Sequence, residues 1–332
     1  MIQKAFFRFE ASPAIGAGHV IRSCVIADAL VEDGWISYLV TSKNSYDFIP
    51  DLKRFDRVDP EDFYDEPVSH DLLVIDHYDL DITYEQYFRT YAKKILVIDD
   101  LANRKHDCDI LLDQTYGRAP EDYRHLVLEN CKILTGSDYV LLRKEFIEMR
   151  PKSLEKRRQT KEIKKILISM GGGDSVGFTL KALEMIKESG FRGEIDIVLG
   201  FHLTGRAEVD AFMQTMPNIY TIHVNPTMGK LMYEADLCIG AGGSSIWERC
   251  CLGLVTCMVI LSQDQALIAS NLHNINAAIN LGKIDEVNAA DAGTQIKDIM
   301  NHPKKIQKMR ENSSVICDGL GIKRIKGELY VY

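Results

Sequence analysis

The chain has 332 residues, 46% of them hydrophobic and 27% charged, an ordinary globular composition. At about 150 residues per domain, that length predicts two domains. A net charge of -8 argues against nucleic acid as a partner, because nucleic acid requires a basic face. An anionic small molecule remains open, since helix ends and a few arginines can dominate a cleft. The N-terminal MIQKAFFRFE has no signal-peptide profile, and no apolar run approaches the roughly 20 residues that span a bilayer. No membrane partner is expected, and the chain reads as cytoplasmic. Its eight cysteines (24, 108, 131, 238, 250, 251, 257 and 317) contain no CxxC pair and read as buried, reduced thiols.

Taken in order, short apolar runs at residues 5–9, 36–40, 72–75, 95–98 and 110–112 predict buried parallel strands. Helical stretches lie between them, among them 19–33, which stops at Gly34 as a C-terminal glycine should. The polar, basic run 150–161, with Pro151, reads as a linker. The alternation then restarts, with strands at 165–169, 195–199, 219–224, 237–239 and 255–261. Helices are expected at 175–188, 226–234, 245–251 and 265–281, and after Asn301 the chain reads as helix and tail. The expected fold is α/β, two Rossmann-like doubly wound domains, 1–152 and 160–332. Ligands of such sheets sit at the carboxyl ends of the strands, so two facing domains would enclose a cleft.

Three glycine clusters fall at expected strand-to-helix turns: Gly16-Ala17-Gly18, Gly171-Gly172-Gly173 and Gly240-Ala241-Gly242-Gly243-Ser244-Ser245. Glycine lets backbone N–H groups approach an anion closely, and a helix end adds a positive dipole. One such turn is explained by tight helix–strand packing, but three at corresponding places favour a phosphate-bearing ligand. None reads GxxxxGK[ST], and GxGxxG would need a small residue where Ile21 stands, so neither a P-loop nor a redox dinucleotide is expected. Glu248, one turn into the helix after the third cluster, either accepts from a ribose diol or faces solvent beside the helix dipole.

His19 opens a helix, with Arg22 three residues on along the same face. A helix start disfavours imidazolium, so the ring suits a general base beside a diphosphate; the plainer reading is a capped turn. Arg22 holds either the local structure or the anion. The segments 76–81 and 99–109 cluster carboxylates and histidines, but no spacing there fixes a metal geometry. They read as loop-bracing groups, and no metal or other cofactor is expected.

The stretches IGAGHVIRS, DHYDLD, IDDLANRKHDCDILLDQ, YVLLRKEF, SMGGGD and GAGGSSIWERCCLGL together resemble the UDP-sugar hydrolases of pseudaminic acid biosynthesis. That family is similar in turn to GT-B glycosyltransferases, particularly the lipid II-forming N-acetylglucosaminyltransferase. The resemblance implies metal-independent removal of UDP from a UDP-2,4-diacetamido-2,4,6-trideoxyhexose of altropyranose type, by water attack at C1 with C–O cleavage and inversion. It implies that His19 is the base and that Tyr78 lies in the sugar site, both in the N-terminal domain with Gly16, Gly18 and Arg22. It places UDP on the C-terminal domain. There Gly171, Gly172, Gly173, Gly243, Ser244 and Ser245 hold the diphosphate, with Gly242 also substrate-binding, Glu248 holds the ribose, and Val224 and Asn225 the uracil. Asp264-Gln265 stands where the family carries Asn-Gln, and Glu10 where aspartate is common. The carboxylate of Asp264 changes hydrogen-bond polarity near the substrate. Two rivals are a GT-B transferase that uses an acceptor in place of water, and a nucleotide-sugar-binding module without turnover.

Overall fold

β1 (Lys4–Phe9) sends Phe7 and Phe9 into one apolar layer and Phe6 into the layer on the opposite face of its sheet. Alternate side chains of a strand point to opposite faces, so a strand buried on both sides reads as continuous hydrophobicity. The same pattern repeats in strands further along the chain, His70–Asp76, Ile110–Asp113, Leu237–Ala241 and Val255–Ile260 among them. The computed structural model describes residues 2–12, 15–171, 176–199, 205–224, 226–263 and 265–330. It divides into one unit of Met1–Arg143 with Leu320–Tyr332 and another of Lys144–Gly319.

Among the described residues of the first unit, β1, β2 (Ile36–Val40), β3 (Asp56–Val58), β4 (His70–Asp76), β5 (Ala92–Ile98), β6 (Ile110–Asp113) and β7 (Lys132–Thr135) form one sheet. Its order is β3-β2-β1-β4-β5-β6-β7, with every pairing parallel. The crossovers carry α1 (Gly18–Glu32), α2 (Lys43–Phe48), α3 (Pro60–Asp65) and α4 (Ile82–Phe88). α1 buries Val20, Cys24, Ala27 and Leu30, a stripe at helical spacing.

The second unit opens with α5 (Lys144–Gln159). Its sheet holds β8 (Lys165–Ser169), β9 (Glu194–Leu199), β10 (Tyr220–Val224), β11 (Leu237–Ala241), β12 (Val255–Ile260) and β13 (Ile279–Lys283). These are all parallel, in the order β10-β9-β8-β11-β12-β13. Around them lie α6 (Val176–Ser189), α7 (Arg206–Met213), α8 (Met228–Glu234), α9 (Ser245–Cys251), α10 (Gln265–Asn274), α11 (Ala289–Met300) and α12 (Pro303–Ile316). α13 (Gly321–Leu329) returns to the first unit, where Ile325 and Leu329 join the layer of Phe7 and Phe9.

Several expectations are corrected. The run 150–161 is mostly helix, and the units divide at residue 143 rather than at 152–160. The charges of α5 are used internally. Arg150 donates to the carbonyls of Cys251, Ser314 and Cys317, and Arg157 to those of Met232, Ala235 and Leu252. These carbonyls lie at the ends of α8, α9 and α12, where the final carbonyls of a helix lack the partners that its interior supplies. The final helix belongs with the first unit because Lys326 pairs with Asp33 at 2.6 Å and Lys94 donates to the Leu329 carbonyl at 2.9 Å. The helix expected over 265–281 stops at Asn274; Asn276 turns with φ 54°, and β13 follows. β3, β7 and β13 escape a hydrophobicity reading because their short runs, DRV, KILT and INLGK, carry few apolar and few buried positions.

Candidate active site

In each sheet the order reverses once, and there the loops leaving adjacent strands part to opposite sides. Ligands bind at such points. In the first unit the reversal lies between β1 and β4, whose register sets Phe9 opposite Asp76. The chain after β1 turns at Gly16 (φ 84°), whose N–H donates to the Ser12 carbonyl at 2.7 Å, and α1 starts at Gly18. His19 therefore projects beside the last residue of β4.

His19 Nδ1 lies 2.5 Å from Asp76 Oδ1. Arg22 donates from Nε to Asp76 Oδ2 and from Nη2 to Oδ1, both at 2.6 Å. Its Nη1 donates to Asp100 Oδ2 at 2.8 Å. Asp76 is fully buried, and His19 and Arg22 are 6% and 7% exposed. Burial alone would raise the Asp76 carboxyl, but the charges and hydrogen bonds of Arg22 and His19 bring it down to about 2. Burial likewise works against the Arg22 cation, and Asp76 and Asp100 override it, raising that group well above its ordinary value. An ionised carboxylate only accepts, so His19 carries its proton on Nδ1 when uncharged and keeps the Nε2 lone pair. Asp76 fixes this tautomer. The 3.2 Å approach of Arg22 Nη2 to His19 Nδ1 is then a contact between two donors.

Tyr78 follows β4 and meets His19 edge-on, ring centroids 4.6 Å apart, with its hydroxyl 3.5 Å from Asp100 Oδ2. The turn carrying it is held by Arg104, which donates to the carbonyls of His77 at 3.0 Å and Leu80 at 3.1 Å while pairing with buried Asp99 at 2.9 Å. The carboxylates of 99–109 thus brace loops: Asp107 and Asp109 are both taken by Arg89 at 2.6 Å. Among the described residues, no three His, Cys, Asp or Glu side chains are grouped to hold a metal ion.

In the second unit the reversal lies between β8 and β11, with Gly240 in register with Ser169. Gly171 leaves β8 with φ 95°, a conformation that favours glycine, and is exposed. Gly242, Gly243 and Ser244 link β11 to α9. Gln265 Oε1 accepts from the N–H of Gly242 at 3.2 Å and of Leu261 at 3.1 Å, so this side chain braces the turn. Beneath it runs Arg249, which donates to the Ala241 carbonyl, to the Ser245 carbonyl at 3.2 Å and to Ser245 Oγ at 3.2 Å. A Cβ on Gly240 would lie 2.5 Å from Arg249 Nη1 and 2.5 Å from the Ser169 carbonyl, so only glycine fits. Glu248 is buried on α9, not solvent-facing. Val224 ends the edge strand β10 and is partly exposed.

The sequence-derived site residues thus gather at the two reversal points: Gly16, Gly18, His19, Arg22 and Tyr78 on one sheet, and Gly171, Gly242, Gly243, Ser244, Ser245 and Glu248 on the other. Val224 lies off the second point by two strands. Gly172, Gly173, Asn225 and Asp264 lie outside the described residues. Sequence reasoning missed the partnership of Asp76 with His19, and also Asp100, Arg104 and Arg249. Asp76 had one available signal: it ends the strand that a doubly wound order sets beside β1. No helix among the described residues is long and apolar enough to cross a membrane.

Comparison with known proteins bears on the family and the fold. The chain is 27% identical over 261 residues to the UDP-2,4-diacetamido-2,4,6-trideoxy-beta-L-altropyranose hydrolase of Campylobacter jejuni, covering 74% of this chain and 87% of that protein. It is 26% identical over 327 residues to the spore coat polysaccharide biosynthesis protein SpsG of Bacillus subtilis, covering 93% of each. Among solved structures it is similar to MurG of Acinetobacter baumannii, with a TM-score of 0.69, 14% identity and coverage of 98% and 99%. Arabidopsis thaliana UGT89C1 complexed with UDP gives a TM-score of 0.65 at 11% identity, covering 99% of this chain and 100% of that one. At such identities the likeness is one of fold, the two Rossmann-like domains of GT-B proteins. Residues 154–325, more than half of the chain, match the glycosyltransferase family 28 C-terminal domain, and the chain belongs to that family.

Proposed function

We propose that this protein is a UDP-sugar hydrolase that uses His19 as general base. The observation that carries the reading is the His19–Asp76 pair at a strand-order reversal: a histidine whose tautomer is fixed leaves Nε2 to take a proton. Water, deprotonated by Nε2, attacks C1 of the sugar; the C1–O bond breaks with its electron pair going to UDP, and C1 inverts. Asp76 stabilises the imidazolium that forms, and Tyr78 packs against the sugar. The glycine turns at 171–173 and 242–245 offer backbone N–H groups to the diphosphate as its charge grows, so a strong general acid is not required. Glu248 accepts from the ribose, and Val224 and Asn225 meet the uracil.

The C. jejuni relative supports a UDP-2,4-diacetamido-2,4,6-trideoxyhexose of altropyranose type as substrate, and with it a place in pseudaminic acid biosynthesis. The family description favours a second reading, transfer of the sugar to an acceptor from a UDP-sugar donor. One experiment separates them: incubation with the UDP-sugar alone in ¹⁸O-water, followed by mass spectrometry. Hydrolysis at C1 releases UDP and puts label on the sugar. Label on UDP would overturn C–O cleavage, and no release until an acceptor is added would establish transfer.

A further inference from the structure

The tandem aspartates that follow β5, Asp99 and Asp100, face different tasks. Asp100 pairs with Arg22 and so touches the base assembly. Asp99 is fully buried and has other partners, accepting from the Ala102 N–H at 2.9 Å and the Tyr123 hydroxyl at 3.0 Å, and pairing with Arg104. Tyr123 is itself fixed, 2.8 Å from Asp113 Oδ2, and Arg118 ties Asp113 at 2.7 Å to the Asp100 carbonyl at 2.9 Å. Ala102 is a non-glycine residue held at φ 51°, a left-handed conformation that persists only where surrounding contacts impose it.

The output of the anchor is the fork of Arg104. Its Nη1 faces Asp99, and its Nε and Nη2 grip the carbonyls of Leu80 and His77, either side of Tyr78 and Asp79. The turn has further ties, from the Asp79 N–H to His77 Nδ1 at 3.1 Å and from the Ile82 N–H to the Lys105 carbonyl at 3.2 Å. We propose that Arg104 is a positioning residue for the sugar: anchored on Asp99, it clamps the 77–80 turn and so sets where Tyr78 meets the substrate. This rests on the functional reading above for the role of Tyr78. Lysine in its place would keep a charge opposite Asp99 but could not make the same three-way contact, because the planar fork is specific to arginine.

Arg104→Lys is the test, with two independent readouts. Amide hydrogen exchange in the ligand-free protein should rise about tenfold across 77–81 and stay unchanged in β1 and α1, the loss of two backbone-directed hydrogen bonds. With the UDP-sugar, KM should rise about tenfold while inhibition by free UDP stays within about twofold. In a Tyr78→Ala background the same substitution should change KM by less than about twofold, since it acts through that ring. If Arg104→Lys does not fold, the Arg104→Gln, Asp99→Asn double variant removes both charges and is read the same way. Unchanged exchange at 77–81 overturns the clamp; faster exchange with unchanged KM, or full additivity with Tyr78→Ala, overturns its role at the sugar. Absence of UDP release by the unsubstituted protein refutes the functional reading instead, and the exchange result still decides the clamp.

Discussion

Asp76→Asn removes one charge and leaves the side-chain volume nearly unchanged. Asp76 is fully buried and accepts three short, charge-assisted bonds: one from His19 at 2.5 Å and two from Arg22 at 2.6 Å. An asparagine has one acceptor oxygen for these donors. If the oxygen stays on Arg22, its NH₂ group faces His19 Nδ1, which must then accept, and the ring proton moves to Nε2. Water then has no base, and turnover should fall by about 10³–10⁴, the range expected when a base is held in the wrong tautomer. Stability should fall too. Asp76 is held at about 2 in the folded protein against an ordinary 3.8, so its ionised form stabilises the fold above roughly pH 4, and this is lost as pH falls toward about 2. At about 1.4 kcal/mol per pH unit, that is about 2 kcal/mol. The assay is UDP release at saturating UDP-sugar, with UDP affinity by calorimetry and thermal unfolding alongside. UDP affinity should stay within about threefold, because the glycine turns of the second unit are untouched. Turnover within about threefold of the unsubstituted protein would refute Asp76 as the group that orients the base.

His19→Asn should lower turnover by about 10²–10⁴ with UDP affinity within a few-fold, and unchanged turnover would remove the histidine from the chemistry. Gly240→Ala should destabilise the second unit by about 1–3 kcal/mol, since its new Cβ would meet Arg249 and the Ser169 carbonyl at 2.5 Å; a melting temperature equal to that of the parent would refute that packing. Glu248→Gln should weaken UDP binding about tenfold but leave the affinity for 2′,3′-dideoxy-UDP unchanged, because only the diol donates to the carboxylate; calorimetry with both ligands decides it. Treatment with EDTA should leave the rate unaltered, and a loss restored by a divalent ion would assign a metal to the reaction.

Much of this architecture is legible in the sequence because its signals are local. Strands such as β2 and β8 fall where short apolar runs place them, and α9 begins where the glycine-serine turn ends. The glycine turns and His19 are also local, since a helix start after a strand follows from turn chemistry. The basic run 150–161 misled for the same reason: its charges look solvated until the helix ends they cap are brought alongside. Of the edge strands, β3, β7 and β13 escape the reading because their short runs, with few apolar positions, leave a weak pattern, whereas β10, also an edge, is expected at 219–224.

The sequence by itself determined two alternating α/β series, phosphate-friendly turns and a histidine at a helix start, because hydrophobic period and glycine placement act within a few residues. Only the tertiary structure decided which carboxylate governs that histidine, 57 residues away, which arginine grips the tyrosine turn, and to which unit the last helix belongs. Those outcomes depend on strand order, and strand order follows from burying both faces of each sheet at once, a condition on the whole chain.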